Sequence, residues 1–275
     1  RDCLLSRGLG DVYKRQGVRE TDVRISQMAN RLHLTFLRDH LAEVLESVTA
    51  AQMTARDAIS YALQKEVAQR ETNHFKQALR AAHFPWVKTL EEFDFSAQPS
   101  IDSGVIQDLS KLEWIDAGEN VAFFGSSGVG KTHLAIALGY MAVKSNYSVR
   151  FYDAAALLAA LEKAAKEDML ETKLKEINRY RLLIVDEIGY VPFSPGAAHI
   201  FFDLVSRRYE KKSLMITSNR PPSEWNLIFA DQAVTASILD RLLHHSTALS
   251  ILGDSYRMRE HRRQAVEKGL LPKSN

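Results

Sequence analysis

Residues 121–144 have the sequence VAFFGSSGVGKTHLAIALGYMAVK, and this stretch is the most informative part of the chain about its fold. An apolar run at 121–124 is followed by a glycine-rich turn and then by an apolar segment long enough for a helix. The turn, GSSGVGKT at 125–132, has the form GxxxxGKT between a strand and a helix, the setting in which this pattern cradles phosphates. The sequence therefore predicts a phosphate-binding loop whose main-chain amides face a triphosphate at the positive end of a helix.

Nucleotide contacts are expected from the loop and from the residue after it: Gly125, Ser126, Ser127, Gly128, Val129, Gly130, Lys131, Thr132 and His133. Lys131 would place its charge on the outer phosphates, and the Thr132 hydroxyl would be a ligand of Mg²⁺. A catalytic role for His133 is not favoured, because a lone histidine on a helix is usually a packing or surface residue.

A second motif, LLIVDE at residues 182–187, is an apolar strand that ends in two carboxylates. Asp186 is expected to hold Mg²⁺, and Glu187 to orient and polarise the attacking water, as an NTP hydrolase requires. Asp186 and Gly189 also fit the DxxG pattern of GTPases, but no N/TKxD run follows, so ATP is favoured over GTP. Asn219, at the tip of another apolar run, would report the γ-phosphate, or alternatively would serve only as a turn residue before Pro221.

The apolar runs predict strands at 121–124, 149–152, 182–185, 214–217 and 248–252, separated by segments long enough for helices. This alternation predicts an α/β fold with a parallel central sheet covered on both faces. Ahead of it, helical periodicity predicts one helix from Met28 to Val48 and a second that Thr54 caps and that ends before Pro85. Residues 91–104, with Phe93 and Phe95 as aromatic anchors, have the composition of a linker.

The chain is therefore divided into four segments. Residues 1–17 are interpreted as a non-native or frayed leader, 18–92 as a small all-helical domain for DNA binding and assembly, 93–259 as the ATPase domain, and 260–275 as a basic tail.

Composition excludes several classes of protein. Of 275 residues, 45% are hydrophobic and 25% charged, the balance of a globular protein. The single cysteine excludes an intramolecular disulfide and a CxxC metal cage, which favours a reducing, cytoplasmic setting. The apolar runs are far shorter than the roughly 20 residues that cross a bilayer, so no membrane contact is expected.

Because the formal net charge is only +2, attraction to nucleic acid has to come from local clusters of basic residues. Candidate clusters are Arg70, Lys76 and Arg80; Arg207, Arg208, Lys211 and Lys212; and the segment 257–273. Each cluster could instead be an ordinary solvated surface. No base-reading motif is present, so DNA contact would be mostly to the backbone, with weak sequence preference.

Five segments together resemble the IstB-like ATP-binding family, the AAA+ helpers of insertion-sequence transposases and sisters of the DnaC-type helicase loaders. They are GSSGVGKTHLAIALG (125–139), LLIVDEIGYVPF (182–193), SRRYEKKSLMITSNRPPSEW (206–225), ASILDRLLHHS (236–246) and GDSYRMR (253–259). The resemblance spans about Met28 to Arg259. It implies a P-loop AAA+ three-layer sandwich that binds ATP and Mg²⁺.

The resemblance also implies roles that composition and spacing do not show. Arg241 matches the arginine finger offered to a neighbouring subunit, and Arg257 the arginine that contacts nucleotide from the same chain. A finger in trans requires a head-to-tail homo-oligomer, either a ring or a helical filament. The implied function is ATP-dependent assembly on DNA and recruitment of a cognate transposase during transposition.

Three alternatives remain beside this function. A DnaC-like loader would keep the ATPase chemistry and deliver a replicative helicase. An ATP-gated adaptor would bind the nucleotide as a switch and hardly hydrolyse it. A small-molecule P-loop kinase is least favoured, because it has no use for Asn219 and Arg241 together.

Overall fold

A computed structural model describes residues 20–190, 193–229, 231–256 and 258. The chain divides into two compact units, Arg1–Lys76 and Gln77–Asn275. The interpretations given above for segments 1–17 and 260–275 lie outside the described residues.

The first unit is helical, as expected. Its helices are α1 over residues 20–31, α2 (Thr35–Ala50) and the first part of α3 (Ala55–Ala82). The prediction of one helix from Met28 to Val48 is wrong, because the chain breaks at His33, whose φ is +56°. The apolar period of three and four continues across the break, so periodicity alone does not reveal it.

Glu66 of α3 explains how this break is held. Its carboxylate accepts the main-chain N–H groups of Thr35, Phe36 and Leu37 at 3.0, 2.8 and 3.2 Å, and Glu66 itself is only 2% exposed. These are three of the N–H groups that a helix start leaves without an internal partner. A side chain some thirty positions away in sequence therefore caps α2.

Helix α3 begins and ends as predicted. The Thr54 hydroxyl accepts the N–H of Asp57 at 3.3 Å and donates to the Asp57 carboxylate at 2.6 Å. The helix ends at Ala82, before Pro85.

The second unit contains a parallel sheet with strands in the order β2-β3-β4-β1-β5. Its strands are β1 (Asn120–Gly125), β2 (Val149–Asp153), β3 (Leu182–Ile188), β4 (Ser213–Ser218) and β5 (Ser246–Ile251). All five predicted strands are confirmed, with bounds that shift by three residues or fewer.

Helices cover both faces of this sheet. They are α4 (Ser103–Ser110), α5 (Glu113–Ala117), α6 (Lys131–Lys144), α7 (Ala154–Lys166), α8 (Leu170–Asn178), α9 (Pro195–Arg208), α10 (Asn226–Phe229) and α11 (Gln232–Leu243). Helix α6 contacts β1, β3 and β4, and α7, α9 and α11 build the core on strand residues such as Leu183 and Ile216. The predicted α/β architecture, with a parallel central sheet covered by helices, is confirmed.

The division between the two units falls inside α3, earlier than the predicted division after residue 92. The segment from residue 77 onward belongs to the second unit because it packs there. Ala82 is fully buried, the Phe84 ring meets Phe151 edge to face at 6.2 Å, and Arg150 donates to the Ala81 carbonyl at 2.9 Å. The linker composition of residues 91–104 indicates where the segment before the sheet lies. It does not indicate that residues from 77 onward pack within the second unit.

Among the described helices, none is both long and apolar enough to span a bilayer.

Candidate functional site

The phosphate-binding loop lies between β1 and α6, as predicted. Gly130, just before α6, has φ +103°, and a Cβ on it would lie 2.7 Å from the Phe93 ring. Gly125, with φ +147°, would place a Cβ 2.2 Å from the Ile251 carbonyl oxygen. Both positions therefore require glycine, for backbone conformation and for space.

Lys131 folds back into the loop and is 8% exposed. Its Nζ donates to the carbonyls of Gly125 and Ser126, both at 2.8 Å. The ammonium group is thus held inside the curl of the loop, where a bound phosphate would need positive charge.

Strand β3 carries its two carboxylates on a bulge. In the pairing of β3 with β4, Val185 faces Ile216 and Ile188 faces Ser218, so β3 has one extra residue. Within the bulge Glu187 has φ +62° and is exposed, whereas Asp186 is 6% exposed. Bulges of this kind redirect side chains, and here two consecutive carboxylates have different surroundings.

Thr217 of β4 makes hydrogen bonds to both carboxylate-bearing residues of the bulge. Its hydroxyl donates to Asp186 Oδ1 at 2.5 Å and accepts the main-chain N–H of Glu187 at 2.9 Å. The residue is fully buried. Sequence reasoning did not single out Thr217, although a hydroxyl at the end of an otherwise apolar strand was the available signal.

Asp186 has a donor set that suits a hard divalent cation. The Thr132 hydroxyl lies 3.0 Å from both carboxylate oxygens. Burial raises the pKa of Asp186 above its ordinary value, hydrogen bonds from Thr217 and Thr132 oppose part of this rise, and the negative charges of Glu187 and Asp153 add to it. A cation would relieve this cost, and hydroxyl and carboxylate oxygens are ligands that Mg²⁺ prefers. The predicted pair Thr132 and Asp186 therefore fits the metal.

One cavity of about 350 Å³ brings most of the predicted site residues together. Its lining includes Ser127, Gly128, Val129, Gly130, Lys131, Thr132, His133, Glu187 and Asn219. Gly125 and Ser126 contribute to the same site through the carbonyls that hold Lys131. Asn219 is exposed and lines the same cavity as Glu187. This position is compatible with the sensor role predicted for Asn219.

The rest of the cavity lining comes from residues that sequence reasoning treated as linker or did not name: Trp86, Lys88, Glu92, Phe93, Asp94, Gln98, Tyr190 and Tyr256. Phe93 packs edge to face on His133, with centroids 5.1 Å apart, and His133 Nε2 lies 2.9 Å from the Thr89 carbonyl. His133 therefore joins the loop to the segment before the sheet. The aromatic anchors predicted for residues 91–104 were the sequence feature from which this part of the cavity lining could have been predicted.

Arg241 is not among the residues described as lining the cavity. It lies on α11, where Nη1 donates to the Ser237 carbonyl at 3.1 Å and the guanidinium stacks on Phe202 at 4.7 Å. Its predicted contact with the nucleotide of a neighbouring subunit stays a prediction. Arg257, predicted to contact the nucleotide, lies outside the described residues.

The second basic cluster is largely engaged within the fold. Arg207 pairs with Glu171 at 2.7 Å and with Asp203 at 2.9 Å, and Arg208 is fully buried. Lys212 donates to the Asn178 carbonyl. These three side chains are therefore poor candidates for phosphate contact.

In the first basic cluster, Arg70 donates to Glu66 at 3.1 Å and to the His33 carbonyl at 2.7 Å. Lys76 and Arg80 are exposed. They remain candidates for contact with DNA, whereas most of the segment 257–273 lies outside the described residues.

His244 and His245, which lack helical metal spacing in sequence, lie near Glu210, with ligand atoms of the three within 4.8 Å of one another. All three are exposed, and His245 Nε2 is 3.4 Å from Glu210 Oε1. Exposed groups of this kind are common without a bound metal, so the three residues are not assigned as a metal site.

Comparison with known proteins identifies the family of this chain. The profile of the IstB-like ATP binding proteins matches residues 27–265. The chain belongs to this family. The resemblance drawn from the five segments is thereby confirmed, and ATP binding is the property that the family carries in its name.

Two relatives illustrate the similarity. The insertion sequence IS21 putative ATP-binding protein of Pseudomonas aeruginosa is 44% identical over 239 residues, which cover 87% of this chain and 90% of the relative. The insertion sequence IS5376 putative ATP-binding protein of Geobacillus stearothermophilus is 36% identical over 241 residues, 88% of this chain and 96% of the relative.

Among solved structures, the crystal structure of DnaI is similar with a TM-score of 0.51 and 21% identity. The match covers 60% of this chain and 91% of DnaI. At this level of identity the similarity shows a common fold.

Proposed function

We propose that this IstB-like protein is an ATP hydrolase that assembles on DNA in the ATP-bound state and assists a transposase in choosing or engaging its target. The observation that carries the proposal is the group formed by Lys131, Thr132, Asp186 and Glu187. Three of these residues line one cavity, and Asp186 is joined to Thr132 within hydrogen-bond distance.

We propose a separate role for each residue. Lys131 and the loop amides would bind the outer phosphates, and Thr132 and Asp186 would hold Mg²⁺, which supplies charge neutralisation when bound. Glu187, exposed on the bulge and on the wall of the cavity, would accept a proton from the attacking water. Asn219, on the same wall, would contact the γ-phosphate.

Phosphate release measured with purified protein, ATP, Mg²⁺ and duplex DNA tests the hydrolase. We expect Mg²⁺-dependent release by the wild type and none by Lys131→Ala. Lys144→Ala, which changes a lysine at the far end of the same helix, is the matched control and should retain activity. If the wild type released no more phosphate than Lys131→Ala, the proposal would fail.

The role in transposition rests on the names of the relatives, which are insertion-sequence proteins. The similarity to DnaI concerns the fold alone and does not favour a helicase loader. Preference for duplex over single-stranded DNA and capture of a transposase would support the proposed role, whereas capture of a replicative helicase would support the loader.

DNA binding would be electrostatic and therefore dependent on salt. We expect the double variant K76A/R80A to lower the slope of log K against log salt by about 2, since each phosphate contact contributes about 0.9. Arg207→Ala is the control, because the charge of Arg207 is already paired with Glu171 and Asp203. Equal slopes in wild type and double variant would exclude these two residues as phosphate contacts.

The ATP-gated adaptor differs from the hydrolase in the lifetime of its assemblies. If hydrolysis ends the assembled state, Glu187→Gln should form long-lived ATP-bound oligomers on DNA. An adaptor that does not hydrolyse ATP would show the same assembly lifetime with and without this substitution.

A further inference from the structure

The side chain of Asn120 joins the start of β1 to the end of the helix that carries Arg241. Asn120 is the first residue of β1 and is 9% exposed. Its Nδ2 donates to the carbonyls of Leu242 and Arg241, at 3.1 and 3.4 Å. Its Oδ1 accepts the main-chain N–H of Leu214 on β4 at 2.9 Å, which establishes which end of the amide is the donor. One side chain therefore connects β1, β4 and α11.

The contacts of Asn120 satisfy the end of α11. The last carbonyls of an α-helix have no partner within the helix, and in α11 two of them, those of Arg241 and Leu242, accept from the Asn120 amide. Just beyond the helix, the His245 carbonyl accepts the main-chain N–H of Asn120 at 2.9 Å. The end of α11 is thus held to the start of β1 by both the side chain and the main chain of one residue.

The Arg241 side chain depends on the position of this helix end. Its Nη1 donates to the Ser237 carbonyl one turn earlier on α11, at 3.1 Å, and its guanidinium lies 4.7 Å from the centre of the Phe202 ring. Neither contact supplies a negative charge. A shift of the end of α11 would therefore carry the guanidinium with it.

Asn120 and the phosphate-binding loop lie at opposite ends of β1. The strand runs from Asn120 to Gly125, where the loop begins, and a strand of six residues is about 17 Å long. Asn120 is also not among the residues described as lining the nucleotide cavity. An effect of Asn120 that passes through Arg241 can therefore be separated from an effect on the nucleotide site of its own chain.

We propose that Asn120 is a positioning residue for Arg241, which holds the end of α11 so that the guanidinium meets the nucleotide of the next subunit in a productive geometry. This inference rests on the proposed ATPase and on the role in trans that the family resemblance implies for Arg241. An arginine supplied by a neighbour contributes about 10³ to 10⁵ in rate. A misplacement of about 1 Å can cost about 100-fold. The end of α11 therefore has to be held closely.

The first test is Asn120→Asp in the full chain. Aspartate has the shape of asparagine and keeps an acceptor for Leu214, but an ionised carboxylate cannot donate to the α11 carbonyls. We expect kcat to fall about 10- to 100-fold and the affinity for ATP to stay within about threefold of the wild type, because the arginine acts on the transition state. Asn146→Asp, at an exposed asparagine after α6, is the matched control and should change neither.

Mixed oligomers locate the defect. Each head-to-tail interface pairs the nucleotide site of one subunit with Arg241 of the next. Mixed with Lys131→Ala, the Asn120→Asp subunit supplies its nucleotide site, and hydrolysis should reach the rate of a reference mixture of Lys131→Ala with Arg241→Ala. Mixed with Arg241→Ala, it supplies the arginine, and hydrolysis should be about tenfold or more slower. Asn146→Asp should support equal rates in the two mixtures.

Equal rates for Asn120→Asp in the two mixtures would overturn the proposal. Loss of activity in both mixtures would overturn it in favour of a general structural role, since the nucleotide site of the variant would then have failed as well.

The reference mixture separates this inference from the proposed function. If the reference mixture hydrolyses ATP and the two Asn120→Asp mixtures do not differ, the role of Arg241 in trans stands and only the role of Asn120 is wrong. If the reference mixture is inactive while the wild type hydrolyses ATP, the ATPase stands, and the role in trans and this inference fail together.

Discussion

Thr217 is the residue on which the two carboxylates of the site depend. One hydroxyl bonds the Asp186 side chain and the Glu187 main chain at the same time. The same atom therefore fixes the proposed metal ligand and the turn that exposes the proposed base. A fully buried side chain that is not among the residues described as lining the cavity can in this way control both.

We predict that Thr217→Val, which keeps the shape and removes the hydroxyl, lowers the rate of ATP hydrolysis by about tenfold or more, since a hydrogen bond to a charged group contributes about 1.5–3 kcal/mol. Affinity for ATP without Mg²⁺ should not change, and affinity for Mg²⁺ should fall. Steady-state kinetics and a Mg²⁺ titration check both. Thr217→Ser should restore activity, and failure of serine to do so would point to packing as the cause.

The raised pKa of Asp186 makes a prediction about stability. Burial disfavours the charged form of Asp186 in the folded protein. Above the ordinary carboxyl pKa of about 4, the unfolded chain ionises while the folded chain does not, so the free energy of unfolding decreases. The decrease ends once pH passes the raised pKa of the folded protein. Each pH unit by which the pKa is raised corresponds to about 1.4 kcal/mol. Stability is thus lost as pH rises through this window.

Asp186→Asn should accordingly stabilise the nucleotide-free protein at pH 7 while abolishing Mg²⁺-dependent hydrolysis. Thermal unfolding from pH 7 down to about pH 4 should show the stabilisation shrinking as pH falls through the raised pKa towards the ordinary value. Asp108→Asn, on the exposed surface, controls for the loss of one negative charge. Destabilisation of Asp186→Asn at pH 7 would mean that hydrogen bonding at this site outweighs desolvation.

At the level of elements, the start of α2 depends on a cap from α3. Glu66 accepts three main-chain N–H groups there, and a carboxylate at a helix N-terminus also meets the positive end of the dipole. We predict that Glu66→Ala lowers the free energy of opening of this helix start by about 2–3 kcal/mol. The neighbouring exposed Glu71→Ala should change it little.

Amide hydrogen exchange of residues 35–37 measures this opening directly. Exchange should accelerate about 30-fold or more in Glu66→Ala, following from that energy. Equal protection in the two variants would show that packing, and not the carboxylate, holds the break at His33.

Local patterns predict the elements of this fold well and their contacts poorly. The loop, the five strands and helix α3 follow from apolar periods, glycines and caps, which act over a few residues. The break at His33 is invisible to periodicity because its cause, Glu66, is distant in sequence. Thr217 was missed for the same reason, since the Asp186 side chain and the Glu187 main chain that it contacts lie on another strand. Arg241 and Arg257 were identified only through family resemblance.

For the whole molecule, the proposed role of Arg241 predicts that a second copy of the chain completes the site. Arg241 stacks on Phe202 and does not line the described cavity, so a head-to-tail neighbour would have to receive it. Such heterologous contacts build rings or filaments. Hydrolysis should therefore depend on protein concentration.

We predict that Lys131→Ala and Arg241→Ala are each inactive alone and that mixing them restores hydrolysis. In an equal mixture, about a quarter of the interfaces join the intact nucleotide site of an Arg241→Ala subunit to the intact Arg241 of a Lys131→Ala subunit. Phosphate release from the mixture, compared with each variant alone, measures this. An inactive mixture that still forms oligomers would contradict a finger supplied in trans.

We propose that Glu187 turns a nucleotide-binding site into a hydrolytic one. The most direct measurement is single-turnover hydrolysis of ATP by wild type and Glu187→Gln, with nucleotide affinity measured in parallel on the same assemblies. We expect equal affinity for ATP and a loss of about 100-fold or more in the rate of hydrolysis, within the range that a positioned general base contributes. Hydrolysis by Glu187→Gln at the wild-type rate would contradict it.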